Sequence, residues 1–279
     1  MKLIVFGGSG YLGSRICKGL GAEQVSYYSR TRNNELDAAG YKWIEGSITE
    51  KEKVIESIKD YDTIVDSVGI WNETEQKHSD VNITGVKNIV EGIKKYDTDQ
   101  RLIYVSHINI DFAPQEHFRT RRITEGNVNL IKNSMVIRAS NLFGDGARIY
   151  QDLARIAGSE LKELPGSGNL APVHVDDFVQ VMAKSPQFRG SMNVCSRENI
   201  TMGEAANLIR ENSGRKPAVL VSKSAKSIRK SADKLKELNL LDSDRIEMLM
   251  LNYYRENTSL YRHVPEPRNF RETLKQVKV

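Results

Sequence analysis

The chain has little of what marks a membrane-spanning, exported or metal-binding protein. No apolar run approaches the ~20 residues of a transmembrane helix, and Met1 leads directly into the strand-like run "KLIVF", which leaves no room for a presequence. Cys17 and Cys195 are the only cysteines, and neither lies near another Cys or a His at metal-ligand spacing. We therefore expect a cytoplasmic protein with two reduced, packed thiols and no metal.

The chain also lacks a strong charge of either sign. Its formal net charge is +5, which suits an anionic ligand, an anionic membrane surface or an acidic partner but is too small to indicate nucleic-acid binding. With 279 residues, 39% of them hydrophobic, the chain is long enough for one large α/β domain with a small appendage.

A glycine-rich turn follows the first predicted strand. In "KLIVFGGSGYLGSRICKGL", Gly7, Gly10 and Gly13 stand at G-x-x-G-x-x-G spacing between an apolar strand and an amphipathic helix. Glycines there permit a tight turn, a close approach of the backbone to a pyrophosphate and close packing of helix on sheet. The pattern predicts dinucleotide binding by Gly7, Gly10, Tyr11, Leu12 and Gly13.

The end of the second predicted strand, "QVSYYS", indicates which dinucleotide is bound. An NAD-selective site usually carries an acidic residue there for the ribose 2′-hydroxyl, but this chain has Ser29-Arg30-Thr31-Arg32. Guanidinium groups attract a 2′-phosphate that a carboxylate would repel. We expect NADP(H) rather than NAD(H), with Ser29, Arg30 and Arg32 at the 2′-phosphate. The alternative is a solvated basic loop.

The remaining sequence alternates between strand and helix patterns with short links, which predicts a doubly wound parallel sheet covered on both faces. The predicted strands are 41–48, 62–71, 101–108 and 134–144, and the predicted helices are 50–61, 80–96 and 115–133.

Several segments in order resemble the extended short-chain dehydrogenase/reductases, the NAD-dependent epimerase/dehydratase-like group. They are the glycine loop, "DVNITGVKNIV" with Asn82, Gly85 and Asn88, "YVSH" with Ser106, "VIRASNLFG", and "PVHVDDFVQVM" with Asp176 and Asp177. The resemblance implies a Rossmann-type α/β domain over 1–195, with 144–170 contributing to the cleft, and a small α-rich lobe over 196–279. "VSHINI", "GIWNET" and "FRTRRITEGNV" are most similar to an atypical branch that includes the NADPH-binding accessory subunit of respiratory complex I and relatives linked to coenzyme Q synthesis.

The same resemblance locates the catalytic positions. Active members carry a tyrosine and, four residues later, a lysine on one helix face. When Thr120 and Glu125 are aligned with the family's pattern, those positions fall on His117 and Arg121, within "HFRTR", and Ser106 takes the serine position. Guanidinium does not deprotonate near neutral pH, so Arg121 can hold a ribose but cannot share a proton.

The resemblance also implies further cofactor contacts and two further departures. Ser47 stands where an aspartate often meets the adenine amine, and Ala139 where relatives often have proline. His107 either points into the cleft or is a packed or surface histidine. The implied contacts are Ser47, Ile48, Val68, Gly69, Ser106, Arg121 and Ala139.

Three interpretations of His117 stay open at this point: a surface or helix-start histidine without a role, a cofactor or ligand contact, and an acid/base group, since the ordinary pKa of imidazole is about 6.5. The leading hypothesis is an NADP(H)-binding protein with little or no turnover and a structural, redox-sensing or quinone-related role. The alternative is an active NADP-dependent reductase or sugar-nucleotide epimerase/dehydratase that uses His117.

The last 70 residues or so carry no clear motif but combine basic and apolar runs. The basic residues form either a solvated helical face or a docking surface for an anionic membrane or an acidic partner such as a respiratory complex. They are Lys223, Lys226, Arg229, Lys230, Lys234 and Lys236. The apolar residues belong either to the core or to a pocket for an apolar substrate such as a quinone. They are Met248, Leu249, Leu251, Tyr253 and Tyr254.

Overall fold

A computed structural model describes residues 1–70, 73–96, 99–222 and 243–279. The strands are β1 Lys2–Phe6, β2 Gln24–Ser29, β3 Lys42–Glu45, β4 Thr63–Asp66, β5 Arg101–His107, β6 Ser134–Ala139, β7 Leu142–Phe143, β8 Glu163–Pro165, β9 Val173–His174, β10 Gly190–Val194 and β11 Val219–Val221. The helices are α1 Tyr11–Gly19, α2 Asn34–Ala38, α3 Lys51–Ile58, α4 Gly85–Tyr96, α5 Glu116–Val128, α6 Arg148–Gly158, α7 Val175–Ala183 and α8 Met202–Asn212, followed by Ser243–Leu249, Leu260–His263 and Phe270–Leu274.

The central sheet has the order β10-β6-β5-β4-β1-β2-β3. Strands β1 to β6 all pair in parallel, so the predicted doubly wound parallel sheet is confirmed. The chain winds outward in one direction through β2 and β3 and in the other through β4, β5 and β6. The strand order therefore reverses between β1 and β4, the point at which open α/β sheets bind ligands at the carboxyl ends of their strands.

The sheet is buried because its strands are nearly continuous apolar runs. Ile4 and Phe6 of β1 and Ile64 of β4 are fully buried in one cluster with Val86 and Ile89 of α4. Burying a side chain of this size contributes roughly 1.5–3 kcal/mol each. The helices thus hold the glycine loop and the carboxyl ends of β1 and β4 in place.

Several predicted elements differ from the observed ones: the strand predicted over 41–48 is only Lys42–Glu45, the helix predicted over 115–133 ends at Val128, and three others differ in kind or extent. The run 134–144 is two strands, because the Ser140 hydroxyl donates to Ala171 O at 2.6 Å and Asn141 Nδ2 donates to Leu170 O at 3.0 Å, which removes both residues from the β5 ladder. The predicted helix 80–96 begins with a π-helical segment, Ser79–Thr84, before α4. The predicted strand 62–71 ends at Asp66, and Trp71 lies outside the described residues.

The chain divides into two compact units. The first contains residues 1–139 and 179–193, and the second contains residues 140–178 and 194–279. The segment 144–170, predicted as part of the N-terminal domain, thus groups with the second unit. Met248, Leu249 and Tyr253 are buried there.

The basic residues from Lys223 to Lys236 lie outside the described residues. In the described ranges, no helix is long and apolar enough to cross a membrane. The same ranges contain no group of three or more His, Cys, Asp or Glu side chains that could hold a metal ion.

Candidate functional site

The glycine loop between β1 and α1 is shaped by contacts that only glycine permits. Gly7 has φ +76°, in the left-handed region that favours glycine. A Cβ on Gly13 would lie 2.2 Å from Gly7 O, and one on Gly8 would lie 2.4 Å from Tyr27 Cβ. The loop is closed by hydrogen bonds from Gly7 N to Tyr28 O at 2.9 Å and from Gly10 N to Gly7 O at 3.0 Å. The helix therefore starts against the backbone of the loop.

The amino end of α1 is open to an anion. Gly10 caps the helix without a side-chain hydrogen bond, and the first turn has no acidic residue. The positive end of the helix dipole is then not neutralised by the helix's own first turn, which is the arrangement that binds phosphate at helix N-termini. The bare loop and this helix end fit the pyrophosphate of a dinucleotide, and contact through Gly10, Tyr11, Leu12 and Gly13 stays a prediction.

The basic loop after β2 lies beside the glycine loop. Asn33 Nδ2 donates to Ser9 O at 3.3 Å, which joins the two loops. Arg30 pairs with Glu75 at 3.5 Å, and Arg32 pairs with Asp37 at 3.5 Å while lying over the Trp43 ring, 4.7 Å from its centroid. Both arginine side chains are more than half exposed, so these pairs are weak and the guanidiniums remain available to a phosphate.

Ser29 differs from the nearby Arg30 and Arg32 in its exposure to solvent. It is buried, and its hydroxyl donates to Thr31 O at 2.7 Å. That bond shapes the turn that presents the arginines. Ser29 thus stabilises the basic loop from the protein interior, whereas Arg30 and Arg32 extend into solvent.

Ser47 and Ile48 follow β3 at the carboxyl edge of the sheet. The Ser47 hydroxyl lies 2.8 Å from Thr49 Oγ1, and Ser47 O accepts a hydrogen bond from Tyr28 OH at 3.1 Å. Ile48 is held by Asn88, whose Nδ2 donates to Ile48 O at 2.9 Å, and it packs where a Cβ on Gly85 would lie, 2.7 Å away. The glycine and the second asparagine of the "N-x-x-G-x-x-N" pattern therefore hold this loop.

The Arg121 side chain turns into the protein between β4 and β5. Its Nη1 donates to Val105 O at 2.8 Å and to Tyr104 OH at 3.4 Å. Its Nη2 packs against Gly69, where a Cβ would lie only 2.5 Å away. The side chain is 8% exposed, and its buried Nε has no hydrogen-bond partner among the described residues. Arg121 thus reaches Gly69, one of the predicted cofactor contacts.

Asp66, at the end of β4, places a carboxyl group in the same interior. It is fully buried, and burial raises its pKa from 3.8 to about 7, although the Val68 backbone N–H and the Arg121 charge act in the opposite direction. Val68 N donates to Asp66 Oδ1 at 2.9 Å, and it also lies 3.1 Å from where a Cβ on Gly7 would be. The carboxyl group therefore positions the Val68 backbone beside the glycine loop.

His117 is buried in the first turn of α5, with 5% of its surface exposed, so it is a helix-start histidine that does not lie on the surface. Its ring meets His78 edge to face at 5.5 Å and His107 at 5.8 Å between centroids. His107 Nδ1 lies 3.1 Å from Ile108 O. Because a carbonyl oxygen can only accept, the neutral ring of His107 carries its proton on Nδ1. The imidazole rings of His78, His107 and His117 therefore form one cluster, and His107 directly follows Ser106 in the chain.

Within the described part of the chain, the buried side-chain hydroxyl of Ser106 is left unsatisfied. The residue is 2% exposed, and its hydroxyl makes no hydrogen bond among the described residues. Ala139, also buried, lies at the same edge, because His107 pairs with Ala139 in the β5–β6 register. A buried hydroxyl costs free energy unless it is hydrogen-bonded. A ligand carbonyl or hydroxyl oxygen at this edge would satisfy it.

Thr120 and Glu125, the two residues that align with the family's pattern, hold α5 in place through hydrogen bonds. Glu125 accepts two hydrogen bonds from Arg138 Nε, at 3.0 and 3.2 Å, and one from Nη2 at 2.6 Å. Asn82 Nδ2 donates to Thr120 Oγ1 at 2.8 Å, and Thr124 Oγ1 donates to Asn82 O at 2.9 Å. These contacts attach α5 to the π-helical segment and to β6. They therefore fix the position of α5 along its axis, and with it the positions of His117 and Arg121.

Two groups at this edge were not predicted as site residues: Asp66 and His78. Asp66 could have been found from its place at the carboxyl end of a buried strand beside the strand-order reversal. His78 precedes the π-helical segment, and no spacing in the sequence connects it to His117. Only the folded chain brings these two histidines together.

The family comparison matches the first part of the chain. Residues 3–109 match the model described as "NAD dependent epimerase/dehydratase family". This range includes the glycine loop, the basic loop, Asp66, Ser106 and His107. It ends before α5, which carries His117 and Arg121.

Two curated relatives are similar at 28% identity. One is the mitochondrial NADH-ubiquinone oxidoreductase 40 kDa subunit of Neurospora crassa, matched over 193 residues, 64% of this chain and 50% of that protein. The other is the 2-alkyl-3-oxoalkanoate reductase of Stenotrophomonas maltophilia, matched over 111 residues, 38% of this chain and 33% of that protein. The chain thus spans a third to a half of the length of these relatives.

A solved structure resembles the whole chain. The triphenylmethane reductase of Citrobacter sp., complexed with NADP(H), superposes with a TM-score of 0.76 at 15% identity, covering 99% of this chain and 100% of that one. At this identity the likeness establishes the fold alone.

Proposed function

We propose that the protein binds NADP(H) and turns over little or no substrate, a proposal supported by the match of residues 3–109 to the model of the NAD dependent epimerase/dehydratase family. The residues that would hold the dinucleotide are the glycine loop and α1 for the pyrophosphate, Arg30 and Arg32 for the 2′-phosphate, and Gly69 with Arg121 for the nicotinamide half. NADP(H), when bound, supplies hydride transfer. In this proposal the bound dinucleotide is sensed or serves a structural purpose.

The observation that carries the proposal is the orientation of Arg121. Its guanidinium, in the lysine position, donates to Val105 O and Tyr104 OH and acts electrostatically on Asp66. A group bonded in this way supplies a hydrogen-bond donor toward Gly69 but no proton relay, because guanidinium stays protonated. The usual relay is therefore missing, while the residues that we propose to hold the cofactor are in place.

The preference for NADP(H) rests on the basic loop. Arg30 and Arg32 are exposed next to the phosphate-binding loop, with carboxylate partners only at 3.5 Å. A 2′-phosphate offers each guanidinium a stronger charge-assisted hydrogen bond than such exposed pairs do. Similarity to the 40 kDa complex I subunit supports a structural or redox-sensing role in a respiratory complex or in quinone metabolism.

A second candidate is an active NADP-dependent reductase or epimerase in which His117 moves the proton. The burial of His117 against His78 and His107 favours it, as does the unpartnered hydroxyl of Ser106, which would orient a substrate oxygen. Similarity to a 2-alkyl-3-oxoalkanoate reductase suggests a ketone as its substrate class.

The first test titrates the protein with NADPH and with NADH and monitors binding by fluorescence. We expect tighter binding of NADPH and, in Arg30→Glu, a loss of about 10- to 100-fold for NADPH with little change for NADH, the size of a lost charge-assisted contact of ~1–3 kcal/mol. Lys87→Glu, an equal charge change at an exposed position of α4, is the control. Equal affinity of the wild type for both cofactors contradicts the NADP(H) assignment.

Turnover is then measured as NADPH oxidation with a quinone and with a 3-oxo acid. The proposal expects no oxidation above background. Steady oxidation that His117→Phe abolishes selects the second candidate instead, and its pH–rate profile should have a limb near the pKa of imidazole. Oxidation that persists unchanged in His117→Phe rejects both the non-catalytic proposal and the role of His117.

A further inference from the structure

The second unit contains an open pocket of about 420 Å³, within the size range of small-molecule sites. It is lined by Gly168, Asn169, Arg197, Asn199, Asn252 and Tyr254. The lining contains one cation and three amides but no carboxylate. It is not the apolar pocket that a quinone would need.

The pocket is built where two backbone segments meet. Asn169 N donates to Leu251 O at 3.1 Å, and Tyr253 N donates to Asn169 O at 2.8 Å. Gly168 has φ +85°, and a Cβ there would lie 2.2 Å from Met250 O. The segments can approach this closely only because residue 168 is glycine. The backbone contacts fix Asn169 and Asn252 side by side.

Hydrogen bonds to the backbone orient two of the amides. Asn169 Oδ1 accepts from Ala171 N at 2.9 Å and from Ile200 N at 3.3 Å. Asn252 Oδ1 accepts from Tyr254 N at 3.0 Å. Both acceptor sites of Asn169 Oδ1 and one of Asn252 Oδ1 are engaged in this way, which leaves the two Nδ2 groups as donors for a ligand.

Arg197 adds a positive charge. Its guanidinium lies 4.5 Å from the centroid of the Tyr261 ring, and its backbone N donates to Tyr261 OH at 2.8 Å. Within the described ranges, Arg197 forms no ion pair. The neighbouring Glu198 carboxylate is turned away, accepting from Phe270 N at 3.0 Å and Arg271 N at 3.1 Å. The charge of Arg197 is therefore not compensated at the pocket.

Backbone strain lies next to the pocket. Ala171 has φ +41°, which a non-glycine residue adopts only when its surroundings hold it. Ala171 O accepts from Ser140 Oγ at 2.6 Å and from Ser196 N at 3.2 Å, and these bonds hold it. Strained residues cluster at ligand clamps and active sites, and this one maintains the Asn169 amide through its own N–H.

We propose that this pocket binds a small molecule through an oxyanion, a carboxylate or a phosphate. Two fixed amide donors and an uncompensated guanidinium offer hydrogen bonds and charge to such a group. The site does not depend on the dinucleotide, because none of its lining residues belongs to the first unit. Its failure and the failure of the cofactor proposal are therefore separate results.

Isothermal titration at constant ionic strength tests the proposal, with inorganic phosphate and succinate as anions and 1,4-butanediol as the neutral analogue of succinate. We expect at least one anion to bind and the diol not to bind. Arg197→Met should weaken anion binding at least ~10-fold, the size of one charge-assisted contact. Arg155→Met, an exposed arginine of α6 in the same unit, should leave it unchanged.

A second variant, Asn252→Asp, keeps the acceptor oxygen for Tyr254 N but adds a negative charge. It should also abolish anion binding, which preserves the test if Arg197→Met does not fold. Circular dichroism and thermal unfolding check that both variants are folded, and we expect both to match the wild type. Absence of heat with both anions, equal binding of the diol, or anion binding unaffected in both variants would overturn the proposal.

Discussion

At the scale of single residues, the informative group is Asp66. Its carboxyl is buried among Tyr104, Arg121 and the backbone of Val68. Burial raises its pKa to about 7 despite the nearby guanidinium. The desolvation cost of the ionised form therefore exceeds what one cation and one backbone N–H return to it.

The raised pKa of Asp66 has a consequence for stability against pH. An unfolded Asp has its pKa near 3.8, so between about pH 4 and 7 the folded chain binds more protons than the unfolded chain. Its free energy of unfolding then falls as pH rises, by at most about 1.4 kcal/mol per pH unit from this group. Asp66→Asn keeps the oxygen that accepts from Val68 N and removes this titration.

Urea unfolding of the cofactor-free wild type and Asp66→Asn from pH 4 to pH 8 measures the effect. We expect the difference in unfolding free energy to change in favour of the variant up to about pH 7 and then to level off. Other titrating groups are shared by both proteins and cancel. Parallel profiles across the whole range would mean that Asp66 is not held in a desolvated site.

At the scale of elements, glycine has opposite structural effects in helices α1 and α5. Gly13, in α1, has no room for a Cβ, which would lie 2.2 Å from Gly7 O. Gly126, in α5, is exposed and has nothing within 4 Å of its Cβ position. The first glycine is required by the contact between helix and loop, whereas the second only raises the entropy cost of forming α5.

Alanine at the two positions should therefore have opposite effects. Gly13→Ala pushes α1 away from the loop, and we expect NADPH affinity to fall at least ~10-fold together with a loss of stability. Gly126→Ala should stabilise the protein by about 1 kcal/mol and leave NADPH affinity unchanged. Thermal unfolding and NADPH titration of both variants measure this, and a Gly13→Ala variant that binds NADPH normally would contradict the role of the loop.

At the scale of the whole molecule, each unit contains one buried thiol. Cys17 lies in α1 of the first unit, and burial raises its pKa to about 12. Cys195 lies in the second unit, where burial raises its pKa and its Sγ contacts the Arg255 backbone. A protonated, inaccessible thiol is a poor nucleophile.

Each thiol should therefore report the unfolding of its own unit. We expect native protein at pH 8 to leave both cysteines unlabelled by an aromatic disulfide reagent over minutes, and denatured protein to react with two equivalents, the full cysteine content. Cys17→Ala and Cys195→Ala assign the signal to a unit. Rapid labelling of one thiol in native protein would show that its unit opens well below the global transition.

The site was predictable wherever local sequence determines local structure. The glycine loop, the end of β2 and Ser106 are located by short patterns, because a turn or a strand end depends on neighbours in sequence. Arg121 was predictable as a position but not as an orientation. Its contacts with Val105 and Gly69 depend on β4 and β5 lying side by side, and no spacing in the chain expresses that.

By itself, the sequence determined the alternation of strands and helices, the phosphate-binding loop, the basic loop and the replacement of the tyrosine–lysine pair by His117 and Arg121. The first three follow from periodicity and from the few residues that tolerate tight turns, whereas the last is implied by the resemblance to the extended short-chain dehydrogenase/reductases. The tertiary structure alone decided that three histidines meet, that Asp66 and Arg121 share one interior, and that 134–144 breaks where Ala171 and Leu170 accept its side-chain hydrogen bonds. The physical reason is that burial and electrostatics depend on which distant segments pack together.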